Sequence, residues 1–283
     1  MLYIVSTPIG NLMDVSYRAI EILKTVDLII AEDTRRSKIL LNHYQINTNI
    51  SSLHEHNEEK ILEKYIVMLQ KGKQIALISD AGTPLISDPG YNLVRRAHLE
   101  KIQVSPIPGS SAVLAAISSS GLATDQFIFL GFLPNKLLSK IKILKALKLE
   151  TRTMIFFESP HRILATLKTM LEILGAEREV TFCRELTKQF ETIVHSNLTK
   201  IYDFVTADLE NQTKGEIVLV LAGYKFRASK DLKNQSKIID ANIHSMLEEL
   251  LTELPLTKAA KIVAKITGLD KQKLYDYWLN VDK

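Results

Sequence analysis

Ser79-Asp80-Ala81-Gly82-Thr83-Pro84-Leu85-Ile86-Ser87-Asp88-Pro89-Gly90 follows directly on the apolar run Gln74–Ser79, and it decides the reading of the fold. A short apolar run closed by turn residues marks a buried strand. One glycine or proline is enough to reverse a chain, yet this loop carries four of them beside two carboxylates and three hydroxyls. Three other apolar segments end in the same way. Leu2–Ser6 runs into Thr7-Pro8-Ile9-Gly10-Asn11, Asp27–Ala31 into Glu32-Asp33-Thr34-Arg35-Arg36, and Val104–Ile107 into Pro108-Gly109-Ser110-Ser111-Ala112. Helical patterns lie between them at Tyr17–Lys24, Glu58–Lys71, Gly90–Leu99 and Ser111–Ser119. In the second of these, Ile61, Leu62, Tyr65, Ile66 and Leu69 share one face. This alternation predicts a mainly parallel sheet covered on both faces. In such sheets ligands lie beyond the carboxyl ends of the strands, where the decorated loops fall.

The loops read as a cofactor cleft. Gly82 and Gly109 allow backbone to approach a ligand. Ser110 and Ser111 stand at a helix N-terminus, where free amide donors meet a carboxylate. Asp80 suits an ammonium group or ribose hydroxyls. A ligand with an amino-acid end and a nucleoside end fits that inventory. Asp80, Asp88 and Ser111 are also residues that cap turns and helices. Asp88 is read here as a cap, Asp80 and Ser111 as ligand contacts.

Past about residue 120 the rhythm changes. Gln126–Leu130, Thr153–Phe157, Glu179–Arg184 and Glu216–Ala222 read as strands. His161–Leu174 reads as a helix closed by Gly175. The expected organisation is an α/β domain over 1–120, a second α/β domain over 121–224, a polar linker over 225–236 and a helical unit over 237–283. The last resembles a helix-turn-helix. Ala259, Ala260, Val263 and Ile266 make its buried face, Lys258, Lys261 and Lys265 point elsewhere, Gly268 supplies the turn and Asp270 caps the next helix. Such helical pairs serve either nucleic acid or plain structural capping.

Other classes are excluded by what is missing. No G-x-G-x-x-G follows the first strand, and no G-x-x-x-x-G-K-[ST] or G-x-S-x-G occurs. The seven histidines show no H-E-x-x-H spacing, and His54-Glu55-His56 lacks a third ligand, so no metal is expected. Cys183 is the single cysteine, which forbids an intrachain disulfide and suits a reducing cytoplasm. The N-terminus lacks a signal-peptide pattern and no apolar stretch is long enough to span a membrane. The net charge of +4 is modest, but Lys136, Lys140, Lys142, Lys145, Lys148 and Arg152 oppose Glu150 alone over 135–152. That stretch is either a solvated helix face or a phosphate-binding surface.

Ser6–Leu12 (STPIGNL), Ala31–Arg35 (AEDTR), 79–90, Gly131–Pro134 (GFLP), Phe156–Arg162 (FFESPHR), Arg184–Lys188 (RELTK) with Glu191, and Lys214–Glu216 (KGE) together resemble the ribosomal RNA small-subunit methyltransferase I family. The resemblance runs over essentially the whole chain. It implies the tetrapyrrole-methylase fold: two α/β domains with S-adenosylmethionine in the cleft between them, in a homodimer. It also implies 2′-O-methylation of a cytidine ribose in the decoding region of small-subunit (16S) ribosomal RNA, with the naked RNA or the assembled subunit as partner. Cofactor contacts carried over by the resemblance are Ile9, Asp80, Ala81, Gly82, Thr83, Pro84, Ser110, Ser111 and Ala112, and in the second domain Phe157, Glu158, Leu186 and Gly215. Two positions depart from the family pattern. Pro108-Gly109-Ser110 replaces the usual Pro-Gly-Pro, and Lys140 stands nearest the place of an arginine.

A ribose 2′-hydroxyl is a poor nucleophile, so a base, or a cation beside the alkoxide, is needed. Glu32 and Asp33 are the candidate bases, with Arg35 and Lys188 as cationic partners. The alternative for the two carboxylates is an internal ion pair with Arg35 or Arg36. Lys136 and Lys140, with Lys258, Lys261 and Lys265, are the candidate RNA contacts. Two other readings stay open: a methylase of the same fold acting on a small tetrapyrrole or a protein side chain, and a non-catalytic RNA-binding assembly factor.

Overall fold

The computed structural model describes residues 1–53, 58–225, 244, 246–267 and 269–281. Strands β1 (Leu2–Val5), β2 (Leu28–Ala31), β3 (Ile50–Ser52), β4 (Ile75–Ile78) and β5 (Val104–Ile107) form a five-stranded sheet in the order β3-β2-β4-β1-β5. Every pairing in it is parallel. Helices α1 (Tyr17–Thr25), α2 (Thr34–His43), α3 (Glu58–Gln70) and α4 (Tyr91–Leu99) connect the strands. Side-chain alternation along β4 explains how both faces are covered. Ala76 and Ile78 pack with Ala19, Leu23 and Leu41 of α1 and α2. Ile75 and Leu77 pack with Tyr65, Ile66, Leu93 and Ala97 of α3 and α4.

A second sheet holds β6 (Phe127–Phe132), β7 (Thr153–Glu158), β8 (Glu179–Arg184), β9 (Thr192–Asn197) and β10 (Ile217–Leu221), in the order β6-β7-β10-β8-β9. Only β6 and β7 run parallel, and the other pairings are antiparallel. One face, with Met154, Phe156, Phe182 and Leu219, is buried under α6 (Leu137–Ala146), α7 (Ile163–Leu174) and α8 (Leu198–Ala207). The other face, with Ile155, Cys183, Val218 and Val220, is covered by Val113, Ala116 and Ile117 of α5 (Ala112–Ser119). Helix α5 leaves the last strand of the first sheet and lands on the second, so residues 1–224 form one compact unit. The two sheets lie in sequence on either side of residue 120.

Among the described residues, several elements were not expected from the sequence. Strand β3 is three residues long and polar, and β9 is a half-exposed edge strand. Helix α2 carries arginines in its first turn, and α8 follows β9 without a turn signal. The helical unit at 225–283 is a separate body. In it, Leu247, Ala259, Ala260, Val263 and Leu274 form the core. Helix Lys271–Val281 is capped as expected, since Asp270 Oδ1 accepts from the backbone of Gln272 and Lys273 at 2.9 and 3.1 Å. Ile266 departs from expectation: it is 65% exposed, one turn past Val263 and off the buried stripe. The proposed linker at 226–236, Gly268 and His54-Glu55-His56 lie outside the described residues.

The position of α5 makes a stability prediction. Ala116 is fully buried between its helix and the second sheet. Ala116→Leu overpacks that contact and should lower stability by about 1–3 kcal/mol. A urea unfolding midpoint equal to wild type contradicts the packing.

Candidate active site

A cleft of about 770 Å³ lies across the carboxyl ends of the first sheet. That volume suits a ligand of nucleoside size or larger. The floor is set by backbone. Thr7 N–H donates to Gly82 C=O at 2.9 Å and Gly82 N–H to Thr7 C=O at 3.0 Å, joining the loops after β1 and β4. Thr83 Oγ1 lies 3.0 Å from Ser6 Oγ and donates to Ser110 C=O at 3.1 Å, drawing in the loop after β5. Asp80 draws in the loop after β2. Its Oδ1 accepts from Asp33 N–H at 3.0 Å and its Oδ2 pairs with Arg36 Nη1 at 3.1 Å. The four decorated loops thus form one hydrogen-bonded unit.

The facing wall comes from the second sheet: Phe157 and Glu158 at the end of β7, Lys188, and Gly215–Val218. Glu158 is 3% exposed, accepts from Ser159 N–H at 2.7 Å and from Thr166 Oγ1, and pairs with Arg162 Nε at 3.1 Å. Lys188 Nζ reaches Glu185 Oε1 at 2.8 Å and Glu216 Oε2 at 3.1 Å. Burial works against its charge, but the two carboxylates outweigh burial and hold the ammonium above its ordinary range. Leu85, Ser87, Glu185 and Thr187, all in loops beside the cleft, have positive φ (72°, 69°, 51° and 65°). Non-glycine residues hold that conformation only where their surroundings over-determine it.

Most of the predicted cofactor contacts line this cleft: Ile9, Asp80, Ala81, Gly82, Thr83, Ser111, Ala112, Phe157, Glu158 and Gly215. Pro84, Ser110 and Leu186 do not line it. Pro84 is buried, and Leu186 packs with Ile9 and α5 behind the surface. Ser110 offers its carbonyl to Thr83, and its hydroxyl donates to Asp14 C=O at 3.2 Å. The serine that stands where a proline is usual therefore ties loops together. Ser111 both lines the cleft and caps α5, accepting from Leu114 N–H at 3.5 Å.

Of the predicted catalytic residues, Glu32 and Lys188 line the cleft, and Asp33 and Arg35 do not. Asp33 is the N-cap of α2, and its carboxylate takes Arg35 N–H at 2.8 Å and the Arg35 guanidinium at 2.8 and 3.1 Å. Those bonds hold it down at about 2, so it is a poor proton acceptor at neutral pH. The Arg35 side chain is 89% exposed. The ion-pair alternative thus holds for Asp33 with Arg35, while Arg36 goes to Asp80.

Lys140 is a correction. The expected phosphate contact is 3% exposed, and its Nζ donates to Thr166 Oγ1 at 2.6 Å. It sits on the face of α6 that turns to α7, so no phosphate reaches it. Burial, aided by Arg162, pushes its ammonium below the ordinary range against the pull of Glu158. Lys136, Lys258, Lys261 and Lys265 are exposed.

Asp88, read from the sequence as a cap of a turn or helix, does not cap α4. The N-cap of α4 is Gly90, with no side-chain cap. Asp88 instead lines the cleft. Burial raises its carboxyl to about 6, with the charges of Glu32 and Asp80 adding to the rise and the Ser79 hydroxyl opposing it. The available signal was a second aspartate in a loop that already held one. Among the described residues no group of three or more His, Cys, Asp or Glu is placed to hold a metal ion.

Comparison with known proteins agrees with this geometry. The profile of the Tetrapyrrole (Corrin/Porphyrin) Methylases matches residues 1–202, and that of the RsmI C-terminal HTH domain matches 238–280. A solved uroporphyrin-III C-methyl transferase from Thermus thermophilus, complexed with S-adenyl homocysteine, superposes with a TM-score of 0.55 at 15% identity. That likeness covers 78% of this chain and 96% of the other, and it speaks for the fold. The chain is therefore a methyltransferase of the tetrapyrrole-methylase class. Curated proteins named ribosomal RNA small subunit methyltransferase I are much nearer. The Pasteurella multocida protein is 48% identical over 99% of this chain and 96% of the relative, and the Pseudomonas aeruginosa protein 47% over 97% and 95%. The chain belongs to the ribosomal RNA small subunit methyltransferase I family.

Gly215 tests the facing wall. Its φ is +77°, and a Cβ there would lie 2.3 Å from Glu185 Oε1. Gly72 has φ +81° with nothing within 4 Å. Both Gly→Ala changes incur the left-handed backbone penalty of about 1 kcal/mol, so Gly215→Ala should lower the melting temperature distinctly further than Gly72→Ala. Equal shifts contradict the Gly215–Glu185 contact.

Proposed function

We propose that this chain transfers a methyl group from S-adenosylmethionine to a cytidine 2′-hydroxyl in the decoding region of small-subunit ribosomal RNA. The observation that carries the reading is the Asp88 carboxyl in the cleft, raised to about 6 beside Glu32. A hydroxyl nucleophile needs a proton acceptor that is ionised yet basic near neutral pH, and a carboxylate at about 6 meets both demands. The names of relatives nearly half identical over 95–96% of their length support the RNA substrate.

The residues present fit the cofactor. The first turn of α5 offers the amide groups of Ala112 and Val113 with the Ser111 hydroxyl, suited to a carboxylate. Ile9, Phe157 and Val218 give an apolar wall for a purine, and Ala81–Gly82 bring backbone close. Bound there, S-adenosylmethionine supplies an electrophilic methyl carried on a sulfonium. Asp80 holds the loops after β2 and β4 at fixed separation, which would fix the place of a bound cofactor relative to the carboxylates of the cleft. Glu32 and Asp88 act as one coupled carboxylate unit that takes the 2′-hydroxyl proton. Lys188, held by Glu185 and Glu216, steadies the developing alkoxide. The buried chain Lys140–Thr166–Glu158–Arg162 keeps Glu158 fixed in the second wall.

Exposed Lys136, Lys258, Lys261 and Lys265 supply phosphate contacts, which makes RNA affinity fall with salt. We divide the chain into a first methylase domain over 1–120, a second over 121–224, and the appended helical unit after the linker. A homodimer in a cytoplasmic setting completes the proposal. No helix among the described residues is long and apolar enough to cross a membrane.

The test follows label from S-adenosylmethionine into small subunits lacking the modification, as a function of pH. Because the acceptor must be ionised, kcat/KM should rise about tenfold per pH unit below about 6 and level above it. Asp88→Asn should cost at least about 100-fold. Glu32→Gln removes a repelling charge, so the acid limb should move to lower pH as activity falls. A flat profile in wild type, or an Asp88→Asn variant as active as wild type, contradicts the assignment.

A further inference from the structure

We infer that Phe132 is the platform on which the base of the target nucleotide stacks, an inference that rests on the function proposed above. Phe132 belongs to the Gly131–Pro134 motif. Along β6, Phe127, Ile128 and Phe129 pair in register with Thr153, Met154 and Ile155 of β7, but Phe132 pairs with Phe157. Regular pairing would set Gly131 there, so β6 carries one extra residue, a β-bulge.

The extra residue decides which way Phe132 faces. Ile128 and Leu130 pack into the core under α6–α8, whereas Phe129 and Phe157 pack on the α5 side. Unbroken alternation would send Phe132 after Ile128 and Leu130 into that core. A one-residue slip reverses the face, and Phe132 comes out on the cleft side and lines the cleft.

The ring is held by other aromatic rings. It meets Phe157 at 5.6 Å between centroids and 63°, and Phe157 meets Phe129 at 4.8 Å and 65°. Two rings anchored in the α5-side cluster thus fix the outermost one in edge-to-face geometry, a favoured aromatic arrangement. Phe132 remains 54% exposed. The same segment abuts the loop after β4: a Cβ on Gly131 would lie 3.6 Å from Ser87 Oγ. Ile86 and Asp88 of that loop also line the cleft. A fixed, half-open aromatic ring near the proton acceptor is what a splayed-out nucleotide requires. Such bases stack on aromatic side chains, with losses of roughly 5- to 150-fold per base when the ring is removed.

The adenine of the cofactor is the other planar ring that enters this cleft, and the experiment separates the two. Phe132→Ala, Phe132→Trp and wild type are compared for S-adenosylmethionine affinity by calorimetry and for kcat/KM of methyl transfer to unmodified small subunits. The expected result is at least a roughly fivefold loss of kcat/KM in Phe132→Ala, near-complete recovery in Phe132→Trp, and unchanged cofactor affinity in both. A matching loss of cofactor affinity in Phe132→Ala assigns the ring to adenine and overturns the inference. Equal loss in Phe132→Trp and Phe132→Ala reduces the ring to a packing element and overturns it as well, as does Phe132→Ala activity equal to wild type. A wild-type protein that binds S-adenosylmethionine but methylates no RNA overturns the proposed function itself, and the stacking role with it.

Discussion

The two backbone hydrogen bonds between Thr7 and Gly82 hold the site together. Parallel strands deliver their loops to one end of a sheet, but nothing in a sheet makes those loops cohere. Here the first and fourth strands are neighbours, and their loops continue to pair past the last rung of the ladder. Once Gly82 is fixed, Thr83 is placed to reach Ser6 and Ser110, and Asp80 to take Asp33 and Arg36. Most of the polar groups around the cleft are committed to each other. Glu32, Asp88, Ser111 and Lys188 line the cleft among them, where a ligand can meet them.

The second half of the chain completes a site that the first cannot close alone. Helix α5 begins at the mouth of the cleft with Ser111 and ends packed on the second sheet. Its position couples the two walls. On the far wall, buried ions do structural work: Lys140 and Glu158 sit where unpaired charges would be costly, and Thr166 and Arg162 satisfy them. The strained residues in the loops at 85–87 and 185–187 are consistent with walls set by tertiary contacts more than by local preference.

Much of this was legible in the sequence, because the signals were local. Apolar runs ending in Gly-, Pro- and Asp-rich loops announced the parallel sheet and the end that binds. Asp80, Gly82 and Ser111 could be placed in the cleft for that reason, with the family resemblance supplying Ile9, Ala81, Thr83 and the residues of the second sheet. What could not be read depends on pairing at a distance. Strand β3 is too short and polar to signal itself, and Lys140 looks like its exposed neighbours Lys142 and Lys145 until α7 is laid beside it. Asp88 read as a cap of a turn or helix, but Gly90, two residues later, is the N-cap of α4. The bulge at 129–132 is invisible in a sequence whose alternation looks continuous, and it is what turns Phe132 toward the cleft.

The central claim is that this cleft methylates a ribose oxygen of small-subunit RNA. It is tested most directly by transferring labelled methyl groups from S-adenosylmethionine to unmodified small subunits and hydrolysing the recovered RNA in alkali. A 2′-O-methyl group removes the hydroxyl that alkaline cleavage requires. The account predicts that the label survives in a single alkali-resistant dinucleotide beginning with cytidine. Label recovered in mononucleotides, which marks a methylated base, or label found in protein with none in RNA, would contradict it.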